Sequence, residues 1–78
     1  MSKLPVVKPR EVIAFLHYHG FFKARSVGSH FRYHHSDGKR KATVAFHREP
    51  LKRGTLKSIL NQAELTVDDL LKFLHKRL

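Results

Sequence analysis

Between Gly20 and Pro50 the residue types alternate with a period of two in three short runs, and the links between those runs are too short for anything but reversals. Gly28 separates residues 21–27 from 29–35, and Ser36-Asp37-Gly38-Lys39 separates these from residues 41–47. A parallel crossover needs about a dozen residues or more, whereas an Asp-Gly pair supplies the positive φ of a tight hairpin. The runs therefore predict an antiparallel meander of three strands. In the second run His30, Arg32 and His34 share one face, and Phe31, Tyr33 and His35 share the other.

On either side the period changes to that of a helix. Residues 1–8 read as a loose lead-in, and Pro9 suits a first helical turn. Val12, Ile13 and Leu16 form a stripe that Phe15 widens, and Gly20 reads as the closing C′ glycine. Pro50 ends the sheet. Gly54-Thr55 opens a second helix with Leu56, Ile59, Leu60 and Ala63 on one face. Thr66-Val67-Asp68-Asp69 has the form of an N-cap with acids in the first turn. A third helix carries Val67, Leu70, Leu71 and Leu74 inward, with Lys72, Lys76 and Arg77 toward its end. The expected order is α-β-β-β-α-α, an α+β fold of one domain over residues 1–78, with helices on one sheet face and the other open.

That open face can be written down in advance. With Phe31, Tyr33, Val44 and Phe46 toward the helices, it carries His30, Arg32, His34, Thr43, Ala45 and His47. Lys23 and Arg25 join it in the register that keeps both out of the core.

Size and charge then narrow the class of function. A chain of 78 residues buries about 60% of its unfolded surface, enough for a core of about a dozen side chains and no deep pocket. Small metabolites need concave cavities, so a polymer is the better fit. The net charge is +10, of which residues 1–53 hold +9, from 12 Lys and Arg against 3 acids. Solubility asks for only about 2–8 charges on a small domain, so an anionic partner is indicated. There are no cysteines, hence no disulfides and no thiolate metal site. The longest wholly apolar run, Val12 to Leu16, is far short of the ~20 residues of a membrane span, and no leader pattern opens the sequence. A soluble cytoplasmic protein is expected.

Seven histidines raise the question of a metal. His30 and His34 lie roughly 13 Å apart along a strand, whereas zinc ligands converge to about 2.0–2.1 Å from one ion. His17 and His19 point in different directions on a helix. No metal and no cofactor are expected. Ser29 and His30 face opposite sides of a strand, and no acid stands where it would orient the imidazole, which removes a Ser-His-Asp arrangement. Acid–base work remains: an imidazole can take the 2′-hydroxyl proton of RNA or protonate the 5′-oxygen at neutral pH, while Arg or Lys stabilises the phosphate charge. His30 is the first candidate because a glycine turn and a strand hold it beside Arg32, and His47 is the second. Lys52-Arg53-Gly54-Thr55 suits a phosphate, since free N–H groups at a helix start follow two cations. The residues alone also fit a non-catalytic RNA binder, or a basic face that docks an acidic protein.

Taken in order, Gly28-Ser29-His30, the Asp37-Gly38 hairpin, Val44-Ala45-Phe46-His47 and the block Leu51-Lys52-Arg53-Gly54-Thr55-Leu56-Lys57-Ser58-Ile59-Leu60-Asn61-Gln62-Ala63 resemble the HicA (YcfA-like) toxin family over about residues 9–74. The resemblance implies a double-stranded-RNA-binding-like fold and a metal-independent ribonuclease that cleaves mRNA. It implies His30 as the catalytic residue, and a HicB-type antitoxin that covers the active face in a bacterium or archaeon. In that reading Lys23, Arg25 and Arg32 hold single-stranded RNA on the sheet, and Lys39, Arg40, Lys41, Lys52 and Arg53 extend the basic track. Three positions depart from the family pattern: Ala45 stands where a proline is common, Phe31 where a second histidine is common, and Glu64 where a glycine usually closes the second helix.

Overall fold

A computed structural model describes residues 4–76. It contains helix α1 (Pro9–Tyr18), strands β1 (Phe21–Val27), β2 (His30–His35) and β3 (Lys41–Ala45), and helices α2 (Arg53–Ala63) and α3 (Val67–Lys76). The strands form one antiparallel sheet in the order β1-β2-β3. The architecture is the expected α+β fold. Residues 1–3 of the expected lead-in, and Arg77, lie outside the described residues. Residues 4–8 carry no helix or strand but are tied down: Val7 is buried, and its carbonyl accepts from the Leu51 amide at 2.8 Å.

Each helix end has a local cause. Glu11 accepts from the Lys8 amide at 2.8 Å, and Pro9 supplies a first-turn residue that needs no amide partner. Past His19 the chain turns at Gly20, with φ at 90°, where a Cβ would sit only 3.0 Å from His35 Nε2. The same His35 Nε2 lies 2.7 Å from the His19 carbonyl, so the end of α1 is pinned to the end of β2. At α3 the Asp69 amide donates to Thr66 Oγ1 and the Thr66 amide to Asp69 Oδ2, a reciprocal cap. Those bonds, the Thr66 amide first, hold the Asp69 carboxyl below its ordinary range.

The core draws on all six elements. Phe15, Leu16, Leu56, Ile59 and Leu70 are completely buried beneath Tyr33, Ala42 and Val44 of the sheet, and among the described residues no polar or charged side chain is buried. Phe73 was not on the expected inward stripe of α3, yet it is buried, with its ring 5.6 Å from Phe15 and 5.3 Å from Tyr18. It falls three residues after Leu70, hence on the same helix face. Val67, Leu71 and Leu74 are half-buried. Burial raises the pKa of the Tyr33 phenol. Among the described residues no helix is long and apolar enough to cross a membrane.

One expectation about β3 is corrected. The strand ends at Ala45 rather than His47, because Ala45 already pairs with His30, the first residue of β2. One further bond, from the Phe46 amide to the Ser29 carbonyl, uses the last carbonyl before the turn. Phe46, the next residue, keeps to the helix side of the sheet as expected: it stacks on half-buried Phe31 at 5.2 Å and lines a depression with Lys8 and Arg10, yet stays 43% exposed.

Glu64 closes α2 in the left-handed conformation, with φ at 57°, and the Leu65 amide returns to the Leu60 carbonyl at 2.9 Å. A side chain there costs about 1–2 kcal/mol that glycine does not, partly offset by about 0.4–1 kcal/mol of extra unfolded-chain entropy in the glycine variant. Glu64→Gly should therefore stabilise the fold by about 0.5–1 kcal/mol, a rise in Tm of roughly 2–8 °C by circular dichroism. A fall in Tm would show that the Glu64 side chain contributes more than its backbone costs.

Candidate active site and nucleic-acid interface

Directly paired residues of an antiparallel sheet share a face, so the register lays out the open side as three rows. The first is Phe22, His34 and Lys41; the second is Arg25, Arg32 and Thr43; the third is Val27, His30 and Ala45. His30 thus sits on the central strand, paired with Val27 on one side and Ala45 on the other. In the middle row Arg25 and Arg32 rim a shallow depression of about 310 Å³ together with His34, Lys41 and Thr43. No position in the three rows is acidic.

A β-bulge at Ala24 makes this arrangement possible. Lys23 pairs with Tyr33 and Arg25 with Arg32, so one residue of β1 is extra. Phe21 must face the core, and strict alternation would send Arg25 inward with it. The bulge reverses the parity and turns Arg25 outward. Lys23 stays on the core side, where it leaves the track predicted for it: its ammonium sits 4.6 Å above the Phe31 ring, at the uncovered margin of the sheet.

His30 also forms one wall of a groove of about 630 Å³ between the sheet and α2. Thr43 and Ala45 line it from the strand side, and Lys52, Gly54, Thr55, Ser58 and Gln62 from the helix side. Gln62 ties the walls together: its Oε1 accepts from the Thr43 amide at 3.1 Å, and its Nε2 donates to Ser58 Oγ at 3.1 Å. Lys52 is the N-cap residue of α2 and offers no side-chain bond to the first turn, so the helix start that lines the groove with Lys52, Gly54 and Thr55 has no side-chain cap. Ser58 and Gln62 were absent from the expected site, and Thr55 entered it only as part of the helix start suited to a phosphate. Their signal was available, since they recur at i, i+3 and i+7 along the flank of the apolar stripe of α2.

The other predicted residues are dispersed. His47 lies two residues past β3, in an adjoining depression that shares Ala45, Lys52 and Thr55 with the His30 groove, and its Nδ1 is 3.7 Å from Glu49 Oε2. Arg53 is exposed at the start of α2 and does not line the groove. Lys39 is exposed in the hairpin. Arg40 is removed from the track by its partners: it bonds Asp37 Oδ2 at 2.9 Å and the Ala63 carbonyl at 3.2 Å, and it rests 2.8 Å from His35 Nε2. It clamps the hairpin to the end of α2. Among the described residues no three His, Asp or Glu side chains gather in a metal-holding group.

A family model described as HicA toxin of bacterial toxin-antitoxin matches residues 9–65. No curated protein matches the chain at a significant level.

The hairpin clamp has a pH signature. Asp37 accepts from the Lys39 amide, then from the Arg40 guanidinium and amide, and these bonds hold its carboxyl well below the ordinary range. A depressed folded value means that its stabilisation is present above the unfolded pKa of about 4 and is lost as pH falls toward the folded value. Asp37→Ala should lower Tm at pH 7, and the gap from the parent should shrink near pH 3. A gap that stays constant or widens on acidification would remove the carboxylate from the clamp.

Proposed function

The chain belongs to the HicA toxin family, and from that premise we propose that it is a metal-independent endoribonuclease cleaving single-stranded mRNA in the cytoplasm of a prokaryote. The observation that carries this reading is the position of His30, shared by the cationic open face and the groove with Lys52 on its far wall. A phosphodiester entering the groove meets an imidazole on one side, with an ammonium and the uncapped helix start on the other. The His30 imidazole takes the proton of the 2′-hydroxyl, the 2′-oxygen bonds to phosphorus, and the bond from phosphorus to the 5′-oxygen breaks. Lys52 and the helix start stabilise the charge that accumulates on the phosphate oxygens. The departing 5′-oxygen takes a proton, for which His47 in the adjoining depression is our candidate donor. The products are a 2′,3′-cyclic phosphate and a 5′-hydroxyl end.

Arg25, Arg32 and Lys41 hold the RNA, and a HicB-type antitoxin silences the toxin by occupying the same face. A second reading, a non-catalytic RNA binder of the same fold, is favoured by one observation: no described side chain hydrogen-bonds the His30 imidazole to orient it.

Two measurements separate these readings. In excess chelator, the parent should cut a defined single-stranded RNA to leave cyclic-phosphate ends, and His30→Ala should be slower by about 10²–10⁴-fold. Ends carrying only 3′-hydroxyls would sink the mechanism, and RNA that is shifted but never cut would select the binding module. Phosphate contacts should follow the bulge: Arg25→Gln should weaken binding and reduce the salt slope by about one unit. Lys23→Gln, on the other side of the sheet, should leave the slope near the parent's. Equal losses from the two variants would contradict the assignment of faces.

A further inference from the structure

Two members of the first row of the open face, Phe22 and His34, are not explained by cleavage or by phosphate binding. Phe22 pairs directly with His34 across the ladder, with ring centroids 6.2 Å apart and planes inclined at 62°. Phe22 is nevertheless 51% exposed. The imidazole borders the phenyl without covering it, and about half of Phe22 stays open to solvent. Its surroundings exclude an ordinary apolar contact surface. Lys41 completes the row, Arg25 and Arg32 form the next, and every charged position on the face is cationic.

A flat exposed ring flanked by cations matches single-stranded nucleic acid, whose bases stack on aromatic side chains while the backbone follows a positive track. We propose that Phe22, bordered by His34, is a base-stacking subsite that selects unpaired RNA. This rests on the ribonuclease reading and adds to it a recognition element two rows from the reacting centre. Rows of one strand face are two residues apart, about 6.6 Å, so His34 and His30 stand roughly 13 Å apart along β2. A strand stacked at Phe22 then passes its phosphates over Arg25 and Arg32 before reaching His30. Base pairing hides a base face within the helical stack, so duplex RNA gains nothing at this subsite.

The test uses the full chain with His30→Ala, so that RNA is bound and not consumed, and a short single-stranded oligoribonucleotide of mixed sequence. Added Phe22→Leu should lower affinity about 5- to 150-fold, from the stacking of one base. The salt slope should not change, because no phosphate contact is lost. The chain has no tryptophan, so Phe22→Trp places a single fluorophore at the subsite; it should keep the affinity and be quenched when RNA saturates it. A blunt RNA duplex should bind the parent and Phe22→Leu alike. Circular dichroism should give all variants the same Tm, since the side chain is outside the core.

Leu-variant affinity equal to the parent's, or an unquenched tryptophan at saturation, overturns the subsite while leaving cleavage intact. In that case a co-purified antitoxin whose binding is lost in Phe22→Leu would assign the ring to the protein partner instead. Absence of any RNA binding by the His30→Ala chain overturns the ribonuclease reading itself, and the subsite with it.

Discussion

The fold depends on the central position of β2. Both of its edges are hydrogen-bonded, to β1 and to β3, so its alternation divides the molecule into two environments. Tyr33 goes into the core, and His30, Arg32 and His34 go to solvent. A slip of one residue would exchange these sets, placing a guanidinium and two imidazoles against Phe15 and Leu56 and exposing the tyrosine. Desolvating even one unpaired cation costs far more than a hydrogen bond returns, so the register is determined by what cannot be buried as much as by what must be. The same fixed register that makes the core possible also fixes the row in which His30 stands.

The open face is a liability accepted in the free protein. Arg25, Arg32 and Lys41 crowd together without an acid among them, and mutual repulsion works against the compact state. Acids are present elsewhere and are used locally: Asp37 in the hairpin, Glu11 and Asp69 at helix starts. None is spent on neutralising the sheet. A surface of this kind recovers its cost only when a polyanion or an acidic protein covers it, and for a toxin both occupants are meaningful.

Much of this was legible in the sequence, because the decisive signals are local. The change of period at Gly20, the Asp37-Gly38 hairpin and the Thr66 cap each act within a few residues, and each lies where its residue types require. What escaped depends on contacts between distant segments. The bulge at Ala24 has no residue signature; it arises because Phe21 has to be buried and Arg25 has to remain in water. Arg40 reads as one more surface cation, yet the end of α2, 23 residues away, supplies the Ala63 carbonyl that immobilises it. Lys23 was misplaced by the same bulge. Thr55, Ser58 and Gln62 carry a visible polar stripe, but only the packing of α2 beside β3 turns that stripe into a groove wall.

That packing explains how so small a chain can hold a site. The amide of Thr43 points outward from the free edge of β3, and an open edge is an invitation to pair with another strand. Gln62 accepts its hydrogen and so closes the edge with a side chain instead of a strand. A strand at that position would have filled the space beside His30; a helix held off by one glutamine leaves a trough with backbone on one side and a cationic helix start on the other. The side chain that satisfies the edge amide thereby also bridges the two walls of the groove, and it does so without a deep cavity. A polymer phosphate can enter from the open face and leave by the same route, which suits a protein whose core is too small to enclose a substrate.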